Sequence, residues 1–410
     1  MGDISLAMVD LVGLRRHAML KAMPWKDDGP MEQRIELILK HDDGESIVSL
    51  AESYGVTRKT IYKWMERYAA EGAAGLEDRS RAPHTSPQQL SEASVAEIIK
   101  ARQRWGWGPR KLLVKLAQAA PGVKMPAAST IAELLRTRGL SHPRKRRLRT
   151  PPYPQPFAAV EQANQTWCAD FKGWFRTADG TRCDPLTVSD AYSRYLLCCQ
   201  IAAKTDTPHV EALFDAAFRE YGLPDVIHTD NGAPFASRAP GGLSRLSMRW
   251  VRLGIVAERS RPSSPQDNGR HERMHRTLKQ EALRPPAPNP RRQQQAFHTW
   301  QKRYNEERPH ESLGYQTPAS CYRRSLRSFP RRVPEVEYDA GIFVRRVSQK
   351  GDLNWKGERF FVSEIFGAQS LGLRPSHERY YDVLYGPLQI GWFDTFQHQF
   401  HRREPKSLRK

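Results

Sequence analysis

Three acidic residues stand where phosphoryl-transfer chemistry would want them. Asp170 follows the apolar run Trp167-Cys168-Ala169, and Asp230 closes Val226-Ile227-His228-Thr229 and precedes Asn231-Gly232. Glu272 opens the helix-patterned stretch Arg273-Met274-His275-Arg276-Thr277-Leu278-Lys279, after the turn-rich Ser263-Ser264-Pro265-Gln266-Asp267-Asn268-Gly269. Mg²⁺ is small and hard and is usually held by a few carboxylates plus water and phosphate. Two such ions roughly 3.5–4 Å apart can stabilise both the attacking and the leaving oxygen of an in-line displacement. Residues three, four and seven apart share a helix face, so Glu272 lines up with His275, Arg276 and Lys279. Met274 and Leu278 share a different side. An acid on a basic stripe suits a site that holds metal and grips a polyanion. Any one of the chain's 45 acids would read as surface charge by itself, so the ordered set carries the reading.

Composition sets the outer limits. The 410 residues are enough for several domains, each with its own core. Sixty-five Lys and Arg against 45 Asp and Glu leave +20, an excess that attracts polyphosphates whatever their sequence. No window of about 18 apolar residues suggests a membrane span. The apolar part of residues 1–20 lacks a basic leader, so a signal peptide is not expected. Five cysteines (Cys168, Cys183, Cys198, Cys199, Cys321) show no paired metal-ligand spacing and are expected as reduced thiols.

A set of ordered motifs surrounds the three acids. They are Trp167-x-x-Asp170, Asp190-x-x-Ser193-Arg194-Tyr195, Thr229-Asp230-Asn231-Gly232 and Ser264-Pro265-Gln266-x-Asn268-Gly269-x-x-Glu272-Arg273, followed by Leu278-Lys279. Tyr304-Asn305-x-x-Arg308-Pro309-His310-x-x-Leu313-Gly314-Tyr315-x-Thr317-Pro318 completes the set. Over about Trp167–Tyr322 the chain resembles the DDE-type bacterial insertion-sequence transposases that share the retroviral integrase catalytic core. The resemblance implies a ribonuclease H-like core in which Asp170, Asp230 and Glu272 are the catalytic metal ligands. It implies two Mg²⁺ ions, with Mn²⁺ as a substitute, and double-stranded DNA, both element ends and target, as partner. Assembly on DNA as at least a dimer and a bacterial, nucleoid-associated cytoplasmic location follow from the same likeness. Asp267 competes with Glu272 but lies in the loop and lacks the following arginine. The Asp230-to-Glu272 interval is longer than the family usually shows, and Arg238-Ala239-Pro240-Gly241-Gly242 reads as the insertion responsible.

The elements that would position these acids can be read around them. The meander opens with a strand at Thr166–Arg176 and a hairpin turn at Asp179-Gly180. Strands at Pro185–Ser189 and Arg194–Ala202 complete it. Asp206 and Pro208 begin a helix whose Val210, Leu213, Phe214, Ala217 and Phe218 recur at helical spacing. Gly222 and Pro224 stop it before the Asp230 strand. Residues 164–325 thus read as the α/β ribonuclease H-like core, in which Asp170 and Asp230 come to adjacent strand positions. Phe297, Trp300 and Tyr304 form an aromatic stripe of core type, and Arg308-Pro309-His310 reads as an exposed basic loop. Residues 338–400 carry short glycine-separated strands expected to form a small all-β barrel.

In front of the core lie two all-α units of helix-turn-helix type. Residues 31–75 form the first, in which Thr57 caps a helix that buries Ile61 and Trp64. Arg58, Lys59, Tyr62 and Lys63 face outward from it, as a recognition helix requires. Residues 88–140 form the second, with helices at Leu90–Arg104, Arg110–Gln118 and Ser129–Arg138. Its Trp105-Gly106-Trp107-Gly108-Pro109 turn reads as core, and Arg136 and Arg138 would reach DNA. Residues 141–163 are a basic, proline-rich linker in which Lys145 and Arg147 would track phosphates; such segments span about 3.1 Å per residue. Residues 1–30 are an extension of no assigned role. The whole reads as a transposase that binds element ends, cleaves them and joins them to target DNA. A transposase-derived regulator that binds without cutting would share the N-terminal half, and a sequence-tolerant nuclease would not need two readers.

Overall fold

The structure is a computed structural model that describes residues 29–80, 89–141, 157, 159–261 and 269–406. Residues 1–28, the linker positions Lys145 and Arg147, and the competing acid Asp267 lie outside the described residues. The chain divides into two compact units, residues 1–89 and 90–410.

In the first unit, α1 (Pro30–Asp42), α2 (Ile47–Ser53) and α3 (Arg58–Glu71) form the expected three-helix arrangement. Ser46 and Thr57 cap α2 and α3 by accepting from the backbone N–H of Ser49 and Thr60. Leu37, Ile38, Leu50, Ile61, Trp64 and Leu76 close the core.

The second unit begins with α4 (Glu92–Trp105), α5 (Pro109–Ala119) and α6 (Ala128–Thr137). They pack around Ile98, Trp107, Leu112, Leu116, Ile131 and Leu135. Trp107 is core, as its sequence setting suggests, and it stacks on the half-buried Trp105 with centroids 5.6 Å apart.

The catalytic-type core follows with β1 (Thr166–Phe171), β2 (Phe175–Arg176), β3 (Arg182–Asp190) and β4 (Leu196–Ala202). The strand expected to run unbroken over Thr166–Arg176 is interrupted, because Gly173 turns through φ +84° between β1 and β2. Helix α7 (Thr207–Tyr221), capped by Asp206 as expected, leads to β5 (Val226–Thr229). Then come α8 (Arg245–Arg252), β6 (Val256–Arg259), α9 (Gly269–Ala282), α10 (Pro290–Glu306) and the short α11 (Pro318–Cys321). The sheet runs β4-β3-β1-β5-β6, with β2 continuing the β1 side of β3. β1, β3 and β4 are antiparallel neighbours, whereas β5 and β6 join in parallel. Helices cover both faces. Trp167, Phe214, Phe218, Ile227 and Trp250 pack the α7/α8 side, and Leu196, Cys199, Met274, Leu278, Phe297 and Trp300 the α9/α10 side.

The C-terminal region is all-β but is not a closed barrel. β7 (Phe343–Arg346), β10 (Ser370–Pro375), β11 (Tyr380–Tyr385), β12 (Leu388–Asp394) and β13 (Gln399–His401) make an open sheet in the order β13-β12-β11-β10-β7. β8 (Asp352–Trp355) and β9 (Glu358–Phe361) pair only with each other. This hairpin meets the sheet through side chains, with Phe360 stacked on Phe393 at 4.0 Å, so packing replaces the ladder that would have closed a barrel. The same core takes in Leu243, Met248 and Val251 from the neighbouring domain. The insertion Arg238–Gly242 lies here, with Arg259 donating to the carbonyls of Gly241 at 2.8 Å and Gly242 at 3.1 Å.

Buried Asn305 in α10 acts as a surrogate strand for β4. Its Oδ1 accepts from Leu196 N–H at 2.8 Å and its Nδ2 donates to the Leu196 carbonyl at 3.0 Å. Asn305→Ala strips the acceptor from the Leu196 N–H, while Gln301 Nε2 still donates to the carbonyl at 2.8 Å, and is expected to lower unfolding free energy by about 1–3 kcal/mol. Denaturant unfolding measures this, and an unchanged midpoint would remove the residue from the list of pins holding α10 to the sheet.

Candidate active site and nucleic-acid interface

Strand register decides where the two aspartates go. β1 and β5 pair in parallel with Thr166 opposite Val226, Trp167 opposite Ile227 and Cys168 opposite His228. Continued by two residues, that register sets Asp170 beside Asp230. Both are half-buried. The Gly232 N–H donates to Asp230 Oδ1 at 3.0 Å, and a Cβ at position 232 would come within 3.1 Å of Oδ2. Glycine there keeps the space over the carboxylate clear.

The back of the strand is held by a different acid. Buried Asp190 accepts from Asn164 N–H through one oxygen and from Ser193 N–H and Oγ through the other, at 2.6–2.7 Å. Asn164 Oδ1 in turn accepts from Trp167 Nε1 at 3.0 Å and from the Tyr322 hydroxyl at 2.9 Å. Asp190 and Trp167 of the ordered motifs therefore anchor β1, with Asp170 farther along the same strand.

Glu272 stands exposed in the first turn of α9. The buried stripe of that helix is His271, Met274 and Leu278, with His275 beside it at 12% side-chain exposure. His275 thus turns inward, whereas the sequence places it on the exposed stripe with Glu272. Arg276 and Lys279 are exposed as expected.

Both imidazoles meet Thr187 of β3. Its Oγ1 lies 2.9 Å from His271 Nε2, 2.7 Å from His275 Nε2 and 3.0 Å from the Asp170 carbonyl oxygen. A hydroxyl has one proton and the carbonyl can only accept, so Thr187 donates to Asp170 and each imidazole donates from Nε2. Burial pushes His271 down to about 4 and His275 down to about 2, the latter helped by His271 and Lys172, so both rings are neutral. His275 Nδ1 then carries a lone pair, 3.9 Å from Asp170 Oδ2. Hard carboxylate oxygens from two strands, with a further acceptor beside them, are a donor set that fits a divalent cation. Among the described residues, however, no group of three or more His, Cys, Asp and Glu side chains is gathered tightly enough to hold one. Strand register places the two aspartates on neighbouring strands, and Glu272 is exposed on α9.

The DNA-facing residues fare unevenly. Arg58, Lys59, Tyr62 and Lys63 are all exposed on α3, with Lys63 resting over the Trp64 ring at 4.5 Å. Arg138 is exposed at the end of α6, while Arg136 pairs with Glu133 on its own helix. Arg308-Pro309-His310 is not an exposed loop. The Arg308 side chain is 13% exposed and bonds Glu281, Pro309 is buried, and His310 is pushed down to about 3 by burial and by Lys111. Thr187 and His271 are the contributors that sequence reasoning missed. The i, i+4 spacing of His271 and His275 beside buried Met274 and Leu278 was the available signal for the two histidines.

Comparison with known proteins bears on this arrangement. Profiles described as an integrase core domain match residues 160–265 and 253–318. A helix-turn-helix domain matches residues 33–84 and a homeodomain-like domain residues 60–135. An uncharacterized 39.2 kDa protein of insertion element IS476 from Xanthomonas euvesicatoria is 28% identical over 259 residues, 62% of this chain and 71% of that protein. An uncharacterized 31.7 kDa protein of insertion element IS407 from Burkholderia multivorans is 25% identical over 233 residues, 56% of this chain and 80% of that protein. These matches support the likeness of the chain to the DDE-type insertion-sequence transposases. Among solved structures, the HTLV-2 integrase catalytic core domain in complex with magnesium is 17% identical, covering 40% of this chain and 98% of that one with a TM-score of 0.32. Among the described residues, no helix is long and apolar enough to cross a membrane. The five cysteines are free, and all but Cys321 are buried.

Thr187→Val keeps the shape of the side chain but leaves two buried imidazole N–H groups without their acceptor. Each such loss costs about 1–3 kcal/mol, so thermal unfolding of Thr187→Val is expected to drop by several degrees while Thr187→Ser stays near the parent. Equal behaviour of the two variants would show that α9 is held by apolar packing alone.

Proposed function

We propose that the chain binds the ends of a mobile DNA element, cleaves at the 3′ ends and joins them to target DNA. The observation that carries this reading is the register that sets Asp170 beside Asp230, with the Glu272 helix tied to the adjoining strand. Asp170, Asp230 and Glu272 would hold two Mg²⁺ ions, with Mn²⁺ as a substitute. When bound, such ions activate a water or a 3′-hydroxyl and steady the attacking and leaving oxygens. The chain's own part is to present oxygen ligands from two rigid strands and one pinned helix. Neutral His271 and His275 fix α9 without adding positive charge beside Asp170. Arg276 and Lys279 offer cations to the phosphates that flank the scissile bond.

Reading of the element ends falls to α3, whose Arg58, Lys59, Tyr62 and Lys63 would enter a groove. Arg138, and Arg136 once freed from Glu133, would add contacts from α6. Lys145 and Arg147 would hold phosphates without regard to sequence. Each chain carries one set of three carboxylates, and two ends must reach one target. At least two chains are therefore needed on DNA.

Asp170→Asn, Asp230→Asn and Glu272→Gln are each expected to abolish Mg²⁺-dependent cleavage of a duplex carrying the element's ends, with end-binding nearly intact. Asp267→Asn is expected to cut normally. Normal cutting by Glu272→Gln together with loss in Asp267→Asn would transfer the third ligand to the loop.

Arg58→Ala or Lys59→Ala is expected to cost about 1–3 kcal/mol on element ends if a base contact is lost, and far less on random duplex. Lys145→Ala and Arg147→Ala should weaken both duplexes alike and flatten the salt slope by roughly one unit per lost phosphate contact. Equal losses on both duplexes for the α3 variants would refute base reading there.

A further inference from the structure

The second helical unit shares one compact body with the catalytic core, and a single turn makes the junction. On the helical side lies the α4–α5 turn, Trp105 to Lys111; on the core side lie the end of α10 and the loop after it. Trp105 Nε1 donates to Glu307 Oε2 at 3.2 Å. Arg303 Nη2 donates back to the carbonyls of Arg104 at 3.3 Å and Trp105 at 3.0 Å. The guanidiniums of Arg303 and Arg308 lie over the Trp107 ring at 5.5 and 5.6 Å, and Arg110 pairs with Glu311 at 3.0 Å. Lys111 is drawn into the seam, where burial and then Arg308 push it down to about 8. Arg308 also bonds Glu281 near the end of α9, so the seam reaches the helix that carries Glu272.

Two features make this more than a grazing contact. Trp107 belongs to the hydrophobic core of the helical unit, so the docking turn cannot swing without disturbing that core. The Arg308-Pro309-His310 motif is buried although its composition is that of a solvated loop. Motif residues of the core thus form the seat, and the tryptophan turn fills it.

We propose that the second helical unit is a fixed wall of its own chain's catalytic core, with Trp105–Lys111 as the positioning turn. The inference rests on the reading of α9 as the active-site helix. The second helical unit then serves the carboxylates of its own chain, whereas the first is a separate compact body.

A cross-linking experiment reads the docking without requiring catalysis. Arg110→Cys and Glu311→Cys are combined with Cys321→Ser in the full chain, leaving the other native thiols buried. Light and heavy isotope-labelled chains carrying different tags are assembled on end DNA, purified through both tags and treated with a short bismaleimide. Mass spectrometry is expected to find light–light and heavy–heavy 110–311 links only. Mixed links would show that the unit docks on the partner's core, and absence of any link would show that it does not dock; either overturns the proposal. A second arm reads positioning. Glu307→Ala removes the acceptor for Trp105 and is expected to slow cleavage at saturating DNA roughly tenfold, with DNA affinity and thermal unfolding unchanged, and Glu307→Gln to restore it. An unchanged rate, or a loss explained by unfolding, counts against the positioning role. If the parent chain itself cuts nothing, the proposed function fails while the links still report the docking.

Discussion

One proton on Thr187 governs how the helix bearing Glu272 is held. The hydroxyl gives that proton to the Asp170 carbonyl and accepts from two imidazoles, so one side chain ties β3 to β1 and to α9. The shared hydroxyl fixes a proton on each Nε2, and burial opposes a second proton on either ring. Apolar packing from Met274 and Leu278 supplies the bulk of the contact, and the shared hydroxyl supplies its register.

Much of this was legible because it depends on local rules. Asp170 and Asp230 each follow an apolar run, and parallel strands put such ends side by side. Thr57 caps a helix whose Ile61 and Trp64 turn inward, and that leaves Arg58, Lys59 and Tyr62 outside by periodicity alone. Asp206 and Pro208 mark the start of α7 as their chemistry requires.

What stayed illegible depends on contacts distant in sequence. Arg308 and His310 are polar and lie after a helix, which is the description of a solvated loop; the distant Trp105–Lys111 turn and Glu281, with Tyr304 against the His310 ring, bury them. His275 shares a helix face with Glu272 and also with His271, and the presence of Thr187 on a neighbouring strand decides between them. Short glycine-separated strands at 338–400 announce a β domain but not its closure; β8 and β9 pair with each other, and Phe360 meets the sheet by stacking on Phe393.

The Arg238–Gly242 loop, read from the sequence as an insertion, ties the C-terminal sheet to the core. Arg259 grips the insertion's carbonyls from the edge strand next to β5, and Ile390 of the distant sheet lies 3.0 Å from where a Cβ on Gly241 would stand. Leu243, Met248 and Val251 then complete the sheet's own core. Insertion and sheet are one module, although the helices of the active-site half lie between them in the chain. Separating the sheet from this loop and from α8 would expose the apolar surface that they share.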